Sequence, residues 1–258
     1  MTWLEITLLI VSGVFVGFIN TLAGGGTIIS LSLFMFMGIP ANVANGTNRI
    51  AVILQNLTSV TEFGRKKILD FKKGTTLAIP TVIGAVVGAQ IASDINEEIF
   101  EKALAVVMIV MVYFIVVKPS KWLKGQQHLM EKKVSWMQVL IFFLIGIYGG
   151  FVQVGVGYFL LAGIVLGAGY DLVKANAIKV WIVLLYTPMA LLVFILNDQV
   201  RWDFGLVHAI GSIIGAYVAS HFAMSWGANF VRWVMIVIIA ATVLHLFGIV
   251  DYKVLVRG

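Results

Sequence analysis

Apolar runs close to twenty residues long recur along the whole chain. They lie near residues 4–23, 75–92, 99–117, 137–153, 177–196, 205–223 and 231–249. A helix needs about 20 residues to cross the roughly 30 Å hydrocarbon core of a bilayer. The chain is 60% hydrophobic and 12% charged, whereas about 25% of the residues in a soluble domain are charged. This pattern predicts an all-α integral membrane protein that crosses the lipid bilayer several times.

Positive charge is concentrated in two loops. Ten of the 18 lysines and arginines lie in residues 64–73 and 118–133, and an acidic turn at 94–101 lies between the two spans that join these loops. Loops rich in lysine and arginine stay on the cytoplasmic side of a membrane, so we expect both loops to be cytoplasmic. The net charge of +6 is then a consequence of topology, and nucleic acid is not an expected partner.

The chain lacks the residue patterns that enzymes need. It contains no cysteine, which excludes disulfides, thiolate metal sites and cysteine nucleophiles. No histidines and carboxylates have the spacing of metal ligands, no nucleophile is placed beside a base, and no nucleotide-binding motif is present. We therefore expect neither enzymatic activity nor a metal or other cofactor.

The sequence repeats itself with an offset of 131 residues. Without any gap, this shift superimposes Gly24 on Gly155, Gly26 on Gly157, Gly38 on Gly169, Ala44–Asn45 on Ala175–Asn176 and Gly74 on Gly205. An unbroken register over about a hundred residues indicates a duplication. We predict an N-terminal membrane repeat at 1–117, a cytoplasmic linker at 118–133 and a C-terminal membrane repeat at 134–258.

Each repeat contains five apolar segments, which in the first repeat lie near 4–23, 27–38, 41–62, 74–93 and 98–117. The second segment is too short to cross, since its length as a helix is about 18 Å. Its counterpart at 158–168 is equally short. Whether the first two segments cross separately or form a re-entrant pair, they return the chain to the same side. Each repeat then has three further crossings, an odd number, so the second repeat starts on the opposite side of the membrane from the first. The prediction is two inverted five-segment repeats with short broken or re-entrant helices, about ten helical segments in all.

Glycine clusters interrupt both repeats beside the short segments. Paired glycine-interrupted segments in inverted halves are typical of a secondary transporter's binding site. Free N–H groups at helix N-termini there can bind an anion, although close helix packing is the alternative explanation. The residues predicted to bind substrate at these breaks are Gly24, Gly25, Gly26, Thr27, Gly155, Gly157 and Tyr158.

Polar residues follow a helical spacing on one face of the segment after Pro40 and at matching positions of the second repeat. The predicted substrate-binding residues on these faces are Asn45, Asn48, Arg49, Gln55, Asn176, Lys179 and Tyr186. Arg49 and Lys179 approach the bilayer midplane, where a charge costs at least about 2.5 kcal/mol. An anionic ligand would supply the missing negative charge, and neutralisation of Arg49 by Glu62 is the structural alternative. Asn20 and Gln153 flank the breaks and either line the site or serve packing.

The glycine-rich stretch "GFINTLAGGGTIISLSLFMFMGIPANVANGTNRIA" and its second copy "GIYGGFVQVGVGYFLLAGIVLGAGYDLVKANAIK" resemble the TauE/SafE sulfite-exporter family. The duplicated layout of the chain carries the same resemblance, which covers essentially its whole length. Membership would imply a multi-pass permease of the cytoplasmic (inner) membrane of a prokaryote, associated with the export of sulfite and organosulfonates.

These observations lead to two alternative functions. The first is a secondary transporter that exports a small anion such as sulfite or an organosulfonate by alternating access of the two repeats, with protons or Na⁺ as coupling ion. The second is a passive anion channel or a non-transporting membrane partner protein. The sequence does not indicate the oligomeric state.

Overall fold

The computed structural model describes residues 1–22, 24–96, 98–99, 130 and 134–222. This part of the chain is helical, without a β-strand. The helices are α1 (Trp3–Leu22), α2 (Thr27–Phe36), α3 (Ala41–Arg65), α4 (Phe71–Asp94), α5 (Trp136–Phe151), α6 (Val156–Ala162, continued by a π-helical turn over Gly163–Gly167), α7 (Leu172–Leu196) and α8 (Trp202–Phe222). Most of the segment predicted at 98–117, nearly all of the linker and the whole of 231–249 lie outside the described residues.

Four of these helices, α1, α4, α7 and α8, are long and apolar enough to cross a membrane. The described residues thus agree with the prediction of a helical integral membrane protein. Helix α3 has 25 residues, about 38 Å at 1.5 Å per residue, but its polar residues lower its hydropathy. Most of those polar residues are buried among the other helices. The two segments predicted to be short are short, since α2 has 10 residues and α6 has 7 before its π-helical turn.

Local sequence signals set the starts of these helices. Pro40 occupies the N-cap of α3, where its missing N–H and fixed φ are tolerated. The carboxylates of Asp70 and Asp171 accept backbone N–H groups at the starts of α4 and α7. Ser135 and Gln138 form a capping box at the start of α5, which satisfies two of the free N–H groups of that helix. Helices α4, α5 and α7 therefore begin at residues whose side chains cap them.

Helix bounds and backbone conformations recur with the 131-residue offset. Helices α3 and α7, each of 25 residues, begin and end 131 residues apart. Left-handed residues recur in the same way, at Gly24 and Gly155, at Gly38 and Gly169, and at Lys67 and Asp198. Glycine adopts this conformation without the steric penalty of a Cβ atom. The glycines that end the first helix of each half are thus required by the backbone.

The tightest helix contacts join helices from different halves of the sequence. A Cβ atom added to Gly84 or Gly88 of α4 would lie 2.1 Å from the carbonyl oxygen of Phe143 and 1.9 Å from that of Ile147, both on α5. A Cβ added to Gly211 of α8 would lie 1.9 Å from the carbonyl oxygen of Ile10 on α1. Small residues permit this close backbone approach. These contacts define two interlocked pairs, α1 with α8 and α4 with α5.

Candidate functional site

The two glycine breaks contact each other in the interior. A Cβ atom added to Gly24 would lie 2.5 Å from the Cα atom of Gly157. Only glycine therefore fits at position 24, where these two segments of the chain meet. The ring of Tyr158 covers Gly25, where an added Cβ would lie 2.5 Å from the phenolic oxygen. The α1–α2 break of the first half and the α5–α6 break of the second half therefore form one structural feature.

A small pocket opens beside this contact, with an empty volume of about 260 Å³ that includes its opening to solvent. Both breaks and both polar helices contribute to it. Its lining residues are Asn20, Gly24, Thr27, Val52, Gln55, Asn56, Gln153, Val156, Gly157, Lys179 and Val183. Five of the residues predicted from the sequence are among them, namely Gly24, Thr27, Gln55, Gly157 and Lys179.

Lys179 is the cation of the pocket. Its side chain is 2% exposed, and its ammonium group donates hydrogen bonds to the carbonyl oxygens of Asn20 at 2.8 Å and Thr21 at 3.0 Å. These carbonyls belong to the last turn of α1, where the helix dipole favours a positive charge. An ammonium group has three donors, so one N–H remains after these two bonds. The pocket therefore contains an amino group that is held by two carbonyls and has a further donor available to a ligand.

Arg49 is fully buried but is not among the pocket-lining residues. Its guanidinium donates to the carbonyl oxygens of Gly149 and Gly150 in the last turn of α5, at 3.3 and 2.5 Å. It also lies over the ring of Phe194, 4.8 Å from the ring centroid, a favourable cation–π arrangement. Arg49 thus neutralises the C-terminal end of α5 as Lys179 does that of α1.

The expected structural alternative for Arg49 was an ion pair with Glu62. Glu62 instead contacts Arg65 at 3.1 Å and the imidazole of His221 at 3.2 Å. Backbone carbonyls, rather than a carboxylate, compensate the charge of Arg49. A sequence pattern does not reveal such a partner, because any helix C-terminus supplies the same carbonyl groups.

Gln153 connects Arg49 to the pocket. Its amide oxygen accepts a hydrogen bond from the Arg49 guanidinium at 3.1 Å, and its amide nitrogen donates to the hydroxyl of Tyr186 at 2.9 Å. Because a guanidinium can only donate, the contact with Arg49 determines which side of the amide is oxygen. Tyr186 and Arg49 therefore act on the pocket through Gln153, which lines it, and do not line it themselves.

Several buried amide groups around the pocket lack hydrogen-bond partners within the described residues. In the pocket itself these are the side-chain oxygens of Asn20 and Gln55. Deeper on α3 and α7, both amide atoms of Asn48 and the side-chain oxygens of Asn45 and Asn176 are also without partners. Asn45 does donate to the carbonyl oxygen of Phe151 at 2.9 Å. Unsatisfied buried polar groups are costly, so this concentration of them indicates a place for a polar occupant.

The other predicted residues lie around the pocket rather than on its surface. Gly25 contacts Tyr158, Gly26 packs against Val16 and Asn20, and Gly155 adopts the left-handed conformation before α6. Four further lining residues, Val52, Asn56, Val156 and Val183, were not predicted from the sequence. Val52 and Val183 are equivalent under the 131-residue offset, and Asn56 lies on the polar face of α3. The 131-residue offset relates the two valines to each other, but an apolar residue in an apolar helix gives no sign that it lines a pocket.

Replacing Arg49 with methionine is expected to destabilise the fold. The change leaves the Gly149 and Gly150 carbonyls and the Gln153 amide oxygen without their donor, and each unsatisfied buried group costs about 1–3 kcal/mol. The measurement is thermal unfolding of the purified protein in detergent. Arg65→Met on the same helix is the control, because the Arg65 side chain is 73% exposed. An Arg49→Met variant that unfolds at the wild-type temperature would contradict this role.

Comparisons with known proteins extend these observations. The family model "Sulfite exporter TauE/SafE" matches residues 9–246. "Probable membrane transporter protein ORF9" of Sinorhizobium sp is 27% identical over 240 residues, which are 93% of this chain and 91% of that protein. A probable membrane transporter protein of Haemophilus influenzae is 24% identical over 87% of this chain and 88% of its own length. The probable membrane transporter protein YfcA of Escherichia coli (strain K12) is 27% identical over 87% and 82%. No solved structure matches the chain.

A bundle of membrane-spanning helices with a polar pocket at two contacting helix breaks is typical of a membrane transport protein. The chain belongs to the sulfite exporter TauE/SafE family, because the family model covers nearly its whole length. The resemblance found in the glycine-rich stretches is thereby confirmed. The relatives are named as membrane transporters, which agrees with the expectation that the chain is not an enzyme.

Proposed function

We propose that this chain is a secondary transporter that exports a small anion, such as sulfite or an organosulfonate, across the cytoplasmic membrane of a prokaryote. The observation that carries the proposal is the buried ammonium of Lys179 in a pocket formed by both helix breaks. Thr27 at the start of α2 lines the same pocket, and a helix N-terminus attracts negative charge. The small size of the pocket favours a ligand of few heavy atoms.

The proposal includes two inverted repeats, at 1–117 and 134–258, joined by a cytoplasmic linker at 118–133. The recurrence of helix bounds and left-handed residues at an offset of 131 supports the duplication. The odd number of crossings that the sequence predicts after each short-helix pair supports the inversion. The basic loops at 64–73 and 118–133 support an orientation with both loops in the cytoplasm.

Alternating access in this proposal occurs between the interlocked pairs, because backbone contacts join α4 to α5 and α8 to α1. Rocking of the first half of the sequence against the second would have to break both of these contacts. The pocket receives Asn20 from α1 and Lys179 from α7, so relative movement of the helices around it would open it to one side or the other. This movement is the transport step that the proposal requires.

Spin-label distances test which helices move together, and the absence of cysteine allows labels to be placed without background. Val87 of α4 and Leu140 of α5 are exposed positions on one interlocked pair, whereas Leu4 of α1 and Val87 belong to the same half but to different pairs. With and without saturating sulfite in lipid, the Val87–Leu140 distance should stay constant and the Leu4–Val87 distance should change. The opposite result would mean that the sequence halves move as units.

Flux into proteoliposomes tests the transport function itself. Sulfite, sulfate, thiosulfate and methanesulfonate would be offered in turn, with and without a pH or Na⁺ gradient. Saturable flux that depends on a gradient supports a coupled transporter, and flux that only follows the anion's own gradient without saturation supports a channel. No flux of any of these anions would overturn the proposal and favour a non-transporting membrane protein.

A further inference from the structure

The charge that faces the pocket is small. Among the described residues that line it, Lys179 alone has an ionisable side chain, and the others are amides, Thr27, glycines and valines. We infer that the pocket selects singly charged anions over doubly charged ones. This inference rests on the proposed transport function and specifies the class of substrate.

The second buried cation does not contact the pocket directly. The guanidinium of Arg49 donates to the carbonyl oxygens of Gly149 and Gly150, and to the side-chain oxygen of Gln153. Its Cζ atom lies 4.8 Å from the centroid of the Phe194 ring. Arg49 therefore binds the end of α5, and the uncharged side chain of Gln153 lies between the guanidinium and the pocket.

The backbone near the pocket changes this balance only slightly. The last carbonyls of α1, at Asn20 and Thr21, accept from Lys179 and offset part of its charge. The first turn of α2, which begins at Thr27 without a side-chain cap, contributes at most about half a positive charge. Among the groups that line the pocket the sum is close to one positive charge, which matches the charge of a monoanion. A dianion would leave about one negative charge uncompensated in a poorly solvated site, which is unfavourable.

The uncharged groups of the pocket suit the rest of such a ligand. The side-chain oxygens of Asn20 and Gln55 are buried and lack partners within the described residues. Both residues line the pocket, and an amide can present either its oxygen or its N–H₂ group to an occupant. With its N–H₂ group turned toward the pocket, each amide donates to an anion's oxygens without adding charge, so neither amide supplies a charge that separates the two valences. Discrimination between valences therefore depends on the charge balance alone.

Competing anions of different valence test the inference in proteoliposomes of the full chain. Methanesulfonate is a monoanion and sulfate a dianion at neutral pH, and both carry oxygens on sulfur. At equal ionic strength, the saturable flux of methanesulfonate should exceed that of sulfate by about tenfold or more. Sulfite provides a second measurement on the wild type, because raising the pH converts hydrogen sulfite into the dianion. Sulfite flux should then fall relative to that of methanesulfonate, whose charge does not change.

A variant that adds a charge gives the converse result. Gln55→Lys places a second ammonium beside the pocket, and we expect the flux ratio of sulfate to methanesulfonate to rise by about tenfold. Equal saturable flux of both anions in the wild type would overturn the valence selection and leave the transport function standing. Absence of saturable flux of either anion, and of sulfite, would overturn both. A sulfite flux that rises with pH while methanesulfonate flux stays constant would also overturn the selection.

Discussion

Replacement of Lys179 by glutamine is expected to reduce anion flux by about thirtyfold or more while the protein stays folded. The ammonium is buried and provides the positive charge among the described residues that line the pocket. Removing one partner of a buried charged contact costs roughly 2–5 kcal/mol, and each 1.4 kcal/mol is a factor of about ten. The glutamine amide keeps a donor near the carbonyls of Asn20 and Thr21, which limits the structural damage.

Lys174→Gln is the matched control for this experiment. Lys174 lies on the same helix, is exposed, and contacts Asp171 at 3.8 Å on the surface, so its loss should leave flux unchanged. Flux and thermal unfolding are measured on the same preparations. Wild-type flux in Lys179→Gln would remove the observation on which the proposed function depends. Loss of flux together with unfolding would require Lys179→Arg, which retains the charge, to separate the two effects.

Replacement of Gly88 by alanine is expected to destabilise the protein more than most single changes. The new Cβ would lie 1.9 Å from the carbonyl oxygen of Ile147, and this atom is backbone, so α4 and α5 would have to separate. Forcing extra volume into a packed interface costs about 1–3 kcal/mol and sometimes more. We expect a lower unfolding temperature in detergent and weaker protection of the α4–α5 contact.

Gly64→Ala is the control for this prediction. At Gly64, on α3, the nearest atom to an added Cβ belongs to the ring of Phe71 at 3.6 Å, an ordinary contact distance. Alanine is favoured over glycine in a helix by up to about 1 kcal/mol, so Gly64→Ala should unfold at the wild-type temperature or above it. If both variants unfold alike, close backbone approach is not what holds α4 against α5.

The membrane class, the short helices and the helix breaks could be read from the sequence because their signals are local. Hydropathy over twenty residues predicts a span, Pro40 marks the start of α3, and Gly24 and Gly155 allow the left-handed turns. The 131-residue register is likewise visible in the sequence, and α3 and α7 have equal lengths under the same offset. About half of the pocket was predictable as well, since residues flanking two matched breaks are brought to the same place wherever the two breaks meet.

The tertiary structure alone decided which buried cation faces the pocket. Arg49 and Lys179 have similar depth and similar polar neighbours in the sequence, but α5 supplies the carbonyls that bind Arg49 and α1 those that bind Lys179. It also decided that α4 packs on α5 and α8 on α1. These outcomes depend on contacts between residues about a hundred or more positions apart. A periodic pattern shows which face of a helix is polar or small, but not which distant helix that face meets.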